Sequence, residues 1–416
     1  MPQTALIRRL RGVPAVALGA VLAVTALPGG PASARETPVP PGQDAFYRPP
    51  SPLPAGRAGD VIRSRASKLA ISPTTKAWQI LYRTANATGA PIAVSGTVLV
   101  PPKPWTGPGA RPLVSYAVGS RGIGDSCAPS YTMTTGLDAE HGVDYESYRI
   151  NDLLNKGWAV AVTDMEGLGT PGPHTYTVGR SQGHAVLDIA RAAERLPGTG
   201  LGAGSPVGVV GYSQGGGSAG WAAELAGTYA PELNLKGVVA SGVLADAGAV
   251  GRSLDGTIGM GLAFMASVGY DAAYPELNLG KYLNDAGRRL KAEQGEVCVF
   301  SVSGVGAIAN TAFRHIKDYT TSSPLDSPAW QARFKENRLG GVKPTVPVFQ
   351  AHARLDEALP YAQADALHRD WCRLGANLTW KTYEAVDHIL GFLQNWPDTV
   401  GFMTDRFAGR PVRSNC

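Results

Sequence analysis

The chain has 416 residues, 44% apolar and 17% charged, with a formal net charge of +5. This composition excludes a disordered, collagenous or disulfide-dense small scaffold and leaves material for a large core. Residues 1–34 hold Arg8, Arg9 and Arg11 and no acid, so the remainder carries only +2, with no basic block that would point to nucleic acid.

Taken in order, the first 34 residues read as a secretory signal. The three arginines precede the apolar run Val13 to Leu27, Pro28 and Gly29 break it, and Ala32-Ser33-Ala34 offers a cleavage site. The run is shorter than the roughly 20 residues that a spanning helix needs. Cleavage after Ala34 and an extracellular product are expected. Residues 35–75 form a Pro-rich arm.

From residue 76 short apolar runs alternate with helical patterns. Ile92 to Val100 and Pro112 to Val118 read as strands, Tyr148 to Lys156 as a helix and Trp158 to Thr163 as a strand. Gly183 to Leu196 is helical, Pro206 to Gly211 a strand, Gly216 to Ala226 a helix and Gly237 to Ser241 a strand. The rhythm resumes late, with strands Thr345 to Gln350 and Leu378 to Tyr383 around a helix Ala362 to Leu374. Such alternation predicts a mostly parallel sheet with helices on both faces, built from 76–249 and 341–416. Residues 250–340 break the rhythm. They are helical and rich in Gly, Ala and Met, and they predict a cap over the carboxyl edge of the sheet.

The chemistry centres on Gly211-Tyr212-Ser213-Gln214-Gly215, a G-x-S-x-G turn between the strand ending at Val210 and the helix opening at Gly216. That context is the nucleophile elbow of the α/β-hydrolase fold, with Ser213 as nucleophile. Gly179-Arg180-Ser181-Gln182-Gly183 also fits the pattern, but Pro171 and Pro173 precede it where a strand is required, so Ser181 reads as a helix cap. Serine needs a base, and the base needs an orienting acid, in the chain order Ser, Asp or Glu, His. Of His315, His352, His368 and His388, only His388 follows the last strand. Asp356 lies in the loop after the preceding strand, with Glu357 beside it, whereas Asp387 would have to turn back on its own neighbour. The oxyanion hole then takes the Gln214 amide and a second amide from Gly119-Ser120-Arg121-Gly122, for which Arg121 is chosen.

In the cap, the almost wholly apolar stretch Gly256 to Gly269 offers Met260, Leu262, Phe264 and Met265 as an acyl pocket; the plain alternative is that they pack as core. Cys127, Cys298, Cys372 and Cys416 have no C-x-x-C spacing, so zinc and redox motifs are not expected. In an exported chain they predict two disulfides, with three pairings open.

The chain resembles the secretory lipase family of fungal lipase A-type and actinobacterial exported enzymes. The resemblance rests on Cys127-Ala128-Pro129-Ser130, Glu166-Gly167, Gly211-Tyr212-Ser213, Tyr229-Ala230-Pro231-Glu232-Leu233-Asn234 and Asp387-His388. It implies an α/β-hydrolase core with a helical cap, fatty acyl esters as substrates, and pairing of Cys127 with Cys298 and Cys372 with Cys416. The glycine-rich Gly119 to Gly124 departs from the acidic loop of the fungal enzymes and leaves the second oxyanion donor open. The expected activity is carboxylic ester hydrolysis, of a lipase or esterase, through an acyl-enzyme at Ser213. It needs no metal or cofactor, has an ester or lipid substrate, touches a lipid interface transiently and requires no protein partner. The alternatives are an acyltransferase using an alcohol acceptor and a non-catalytic envelope protein that retains the fold; a peptidase fits the apolar cap less well.

Overall fold

Unbroken apolar runs become the centre of the sheet. The computed structural model describes residues 38–416 except 71, 137, 139–141 and 296; the expected signal and its cleavage after Ala34 lie outside the described residues. In chain order the first elements are β1 (Val61–Ser67), β2 (Lys76–Ala85), β3 (Pro91–Val100), β4 (Leu113–Ala117), α1 (Pro129–Thr135), α2 (Ser147–Asn155) and β5 (Ala159–Thr163). Next come α3 (Gly179–Arg195), β6 (Val207–Tyr212), α4 (Gln214–Tyr229) and β7 (Leu235–Ser241). A helical segment follows, with α5 (Ala247–Leu254), α6 (Met260–Ala273), α7 (Asp285–Gln294), α8 (Val302–Thr311), α9 (Ile316–Tyr319) and α10 (Pro328–Glu336). The chain closes with β8 (Val348–Ala353), α11 (Tyr361–Arg373), β9 (Leu378–Tyr383), α12 (His388–Gln394) and α13 (Trp396–Phe407).

The described strands form one sheet in the order β1-β2-β3-β5-β4-β6-β7-β8-β9. The first three strands are antiparallel, and the six from β5 to β9 along that order run parallel. This is the α/β-hydrolase architecture. Every residue of β4, β5, β6 and β8 is buried, because helices cover both faces of a parallel sheet. On one face α3, α4 and α11 bring Val186, Ile189, Ala219, Ala222, Leu367 and Trp371 against the strands. On the other, α2 and α13 bring Ile150, Leu153 and Met403.

Three boundaries differ from expectation for physical reasons. The late strand begins at Val348 and not Thr345, since Pro347 has no N–H for a ladder; its carbonyl still accepts from Val238 at 3.0 Å. Helix α3 begins at Gly179, four residues early: Gly179 and Gly183 look like poor helix formers but sit flush against Trp221, where a Cβ would collide. The segment 35–75, expected as an arm, contains β1, an edge strand whose Arg63 and Arg65 guard it from further pairing. Within the same segment Tyr47 is buried, its hydroxyl 2.9 Å from Ser130 Oγ.

Helices α5 to α10 lie between β7 and β8 and enclose their own apolar cluster around Trp330, Phe334, Tyr270 and Phe264. The segment is fastened to the loop after β4. Gly122 and Cys298 form an antiparallel bridge, Val299 donates to the Arg121 carbonyl at 2.9 Å, and a disulfide joins Cys127 to Cys298. A second disulfide joins Cys372 to Cys416, so both bridges match the pairing that the resemblance implies.

Candidate active site

The elbow is a close-packed crossing of backbones. Strand β6 ends at Tyr212, and Ser213 adopts φ 61°, ψ −123°, a conformation that non-glycine residues hold only under external constraint. Two hydrogen bonds constrain it: the Ser213 amide donates to Ser241 O at 3.1 Å, and its carbonyl accepts from Gly217 at 3.0 Å. The flanking glycines are steric necessities. A Cβ on Gly211 would stand 2.0 Å from Gly215 O, one on Gly215 2.0 Å from Ala117 O, and one on Gly216 2.1 Å from Ser241 O. Ser213 is only partly buried, at the start of α4.

His388 opens α12, whose N-terminus is capped by Asp387 accepting from the Leu390 amide at 2.8 Å. The cap occupies Asp387, and Glu357 accepts from the His388 backbone amide at 3.0 Å. Neither carboxylate faces the imidazole as Asp356 does. Asp356 Oδ2 lies 2.7 Å from His388 Nδ1, and His388 Nε2 lies 3.0 Å from Ser213 Oγ. An ionised carboxylate only accepts, so Nδ1 carries the proton and Nε2 is free to accept from the serine hydroxyl. The other carboxylate oxygen of Asp356 accepts from the amides of Ala358 at 3.1 Å and Leu359 at 2.7 Å.

Burial by itself would raise the Asp356 pKa. The hydrogen bond and charge of His388, with His352 and the Leu359 amide, overcome it and hold the carboxyl below its ordinary value. For His388 burial favours the neutral ring, but the hydrogen bond and charge of Asp356, aided by Glu357 and Asp387, raise its pKa above the ordinary histidine value. The two shifts together favour an ionised Asp356 and a His388 that takes up a proton more readily than an ordinary histidine.

Gln214 is the first residue of α4, so its amide has no acceptor within the helix and sits at the positive end of the dipole. Its side chain is held from below. Gln214 Nε2 lies 3.3 Å from His174 Nε2, and His174 Nδ1 lies 2.7 Å from Glu166 O, which makes Nδ1 the donor and Nε2 the acceptor. Burial pushes the His174 pKa down to about 4 against the pull of the Glu166 carbonyl, so the ring stays neutral.

The loop after β4 is organised by Glu146. One of its oxygens accepts from Tyr116 at 2.9 Å and the other from the Gly119 amide at 2.9 Å, so Gly119 has no amide to offer. Arg121 is buried, and its guanidinium turns through Nη2 to Asp144 at 2.8 Å and Glu146 at 3.1 Å, so its backbone amide is the group proposed for an oxyanion role. Ser120 is 2.6 Å from the Tyr176 hydroxyl. The Glu146 brace has no signal in the sequence: a single acid at a helix start reads as ordinary surface.

Ser181 is elsewhere. It is buried in the first turn of α3, where its hydroxyl donates to Glu166, and Thr175 Oγ1 lies 3.2 Å away. It does not cap the helix as expected; the N-cap is Val178, without a side-chain bond.

All four residues of α6 pack in or against the helical cluster, and two of them also border a cavity. Met260 and Phe264 are buried in the helical cluster, with Phe264 edge-on to Tyr319 at 5.9 Å. Leu262 and Met265 line a cavity of about 20 Å³ with Val297, Val299, Ala307 and Ile308. A space of this size admits no acyl chain as it stands.

A family profile described as Secretory lipase matches residues 135–415. The chain is 33% identical over 383 residues to a protein of Mycobacterium tuberculosis named "Probable inactive lipase", covering 90% of this chain and 84% of that one. It is 32% identical over 391 residues to a secreted triacylglycerol lipase of Malassezia globosa, covering 90% and 81%. The structure of Candida antarctica lipase A in its closed state superposes with a TM-score of 0.83 at 27% identity, covering 91% of this chain and 89% of that one. The parallel sheet, the elbow at the end of β6 and the family match over most of the described chain agree, and the protein belongs to the secretory lipase family.

Proposed function

We propose that the protein is an exported serine ester hydrolase that cleaves fatty acyl esters through an acyl-enzyme on Ser213. The observation that carries this reading is the continuous relay from Ser213 Oγ through His388 to Asp356, at 3.0 and 2.7 Å. Ser213 attacks the ester carbonyl as His388 Nε2 takes its proton, and Asp356 stabilises the imidazolium. The negative charge that develops on the carbonyl oxygen falls to the Gln214 amide and to a second amide, Arg121 in our assignment. His388 returns the proton to the departing alcohol, then activates water to release the acid.

The expectation of a lipid-like substrate draws support from the rim of the site. Ile389, Leu390 and Leu393 of α12 and Leu355 beside Asp356 are exposed apolar residues. Aromatic contacts lead from Phe392 to Tyr145 and on to Phe300 at the foot of α8, with ring centroids 5.8 and 4.4 Å apart. An apolar border around a hydrolytic serine suits substrates presented at a lipid surface. In this reading helices α5 to α10, between β7 and β8, take the part of the cap expected at 250–340. Export, with removal of 1–34, is supported by the disulfides and by the secreted Malassezia relative.

The mycobacterial relative's name raises a second reading, a fold retained without catalysis. An unbroken relay argues against it here. Initial rates on p-nitrophenyl esters from acetate to palmitate, with fluorophosphonate labelling, decide the matter. Turnover with label on Ser213 supports the hydrolase; no turnover and no label leaves the non-catalytic reading standing.

A further inference from the structure

His352 stands at the carboxyl end of β8, four residues before Asp356, with no exposed side-chain surface. Its Nε2 lies 2.7 Å from Leu359 O and 3.4 Å from Asp356 Oδ2. A carbonyl oxygen only accepts, so Nε2 carries the proton and gives it to Leu359 O, while Asp356 Oδ2 stands beside that bond without sharing it. Nδ1 is buried and has no hydrogen-bond partner. Protonating it would leave an unpaired N–H in the interior, so the ring is neutral. Burial lowers the His352 pKa, and the Asp356 charge and the Leu359 carbonyl oppose that without reversing it. The titratable groups around the ring are Asp356 from its own loop, His388 from α12 and Tyr361 from α11, whose ring lies edge-on at 6.2 Å; its partner in β9, Thr382, is uncharged.

These contacts close a triangle. Leu359 donates its amide to one oxygen of Asp356 and accepts from His352, while His352 stands beside the other oxygen, the one that His388 uses. We propose that His352 is a positioning residue for the catalytic acid: bonded to the Leu359 carbonyl and packed beside the Asp356 carboxylate, it fixes the turn 356–359 so that Oδ2 faces His388 Nδ1. The proposal rests on the reading of Ser213, His388 and Asp356 as the triad. Asp356 carries the negative charge and His352 holds its bearing, because a carboxylate on a free turn would rotate about its own side-chain bond.

The test compares wild type, His352→Gln and His352→Met. Glutamine returns an N–H donor at similar reach, whereas methionine fills comparable space with none. Fluorophosphonate labelling of wild-type Ser213 first checks the triad by itself; no label there fails the triad reading and takes this proposal with it. With label present, His352→Met should lower kcat by roughly 10- to 100-fold, the scale of a misplaced catalytic group, with KM nearly unchanged. The acid limb of kcat/KM should move to lower pH, because a carboxylate turned away from Nδ1 stabilises the His388 imidazolium less. The far-downfield proton resonance of the His388–Asp356 hydrogen bond should shift as well. His352→Gln should restore most of kcat, the limb and the resonance. If His352→Met keeps wild-type kcat and acid limb, the proposal fails. It fails equally if both variants lose the same activity with the limb and resonance unmoved, since that is a packing role. Should His352→Met not fold, His352→Asn, whose amide stops short of Leu359 O, replaces it under the same criteria.

Discussion

Tyr212 donates its phenol hydroxyl to the backbone carbonyl of His388 at 2.7 Å, and the two rings lie 5.1 Å apart. The residue before Ser213 thus grips the residue whose ring lies against the Ser213 hydroxyl. The turn at Ser213 and the start of α12 are registered to each other across 176 positions of chain by a contact outside the relay. Tyr212→Phe should keep the fold and lower kcat by a modest factor, with KM little changed. Equal kcat in both proteins would show that α12 positions His388 unaided.

Ser213→Ala should lower kcat on the order of 10⁶-fold. Ser181→Ala should leave most of the activity, because its hydroxyl serves Glu166 within α3 and faces no base. Phosphonate labelling followed by peptide mapping identifies the reactive serine; label on Ser181 would overturn the assignment.

The pH dependence follows from the direction of the His388 shift. Hydrolysis needs a neutral imidazole, so kcat/KM falls as pH drops through the pKa of His388 in the free enzyme. That pKa is raised from 6.5, burial notwithstanding, by the hydrogen bond and charge of Asp356. The acid limb should therefore lie above pH 6.5. Asp356→Asn removes the charge and should move the limb downward, with a loss in kcat of about 10⁴-fold. An unmoved limb in that variant would place the orienting charge elsewhere.

Helix α6 offers a test with two different outcomes. Phe264 is packed among Tyr319 and the helical cluster, so Phe264→Ala should cost about 3–5 kcal/mol of stability and affect all esters alike. Leu262 lines the small cavity, which is too small for an acyl chain until a side chain is cut back, so Leu262→Ala should raise the ratio of long- to short-chain kcat/KM. Denaturant titration and the ester series together separate them. Identical profiles would assign the whole helix to the fold.

The site is legible in the sequence where backbone geometry restricts residue type. Val207–Val210 followed by Gly211, Gly215 and Gly216 permits little besides an elbow, because three carbonyl oxygens occupy the places where Cβ atoms would go. Asp356 and His388 are then found by order along the chain. Contacts that depend on tertiary packing leave no local trace. Glu146 bracing Gly119, His174 beneath Gln214 and His352 beside Asp356 come from separate elements that meet only on folding. Arg121 illustrates the limit: its place in the glycine-rich loop is readable, but the turn of its side chain toward Asp144 and Glu146 is not. Helix α6 is apolar all round, so periodicity cannot tell Leu262 from Phe264. Strand β1 is half exposed and carries two arginines, so it lacks the alternation that marks the other strands.

The two disulfides divide the chain into covalently closed and open stretches. Residues 127–298 form one ring, which holds Ser213, and residues 372–416 form another, which holds His388. A protease that cuts once inside either ring leaves a single covalent molecule with its ends still anchored. A cut between 299 and 371, where Val302, Phe313 and Leu355 stand exposed, severs Ser213 from His388 outright. If the protein is exported as proposed, that stretch of α8 to the Asp356 loop is where a single cleavage would part Ser213 from His388. Non-reducing electrophoresis after limited digestion would show the halves parting only when the nick falls there.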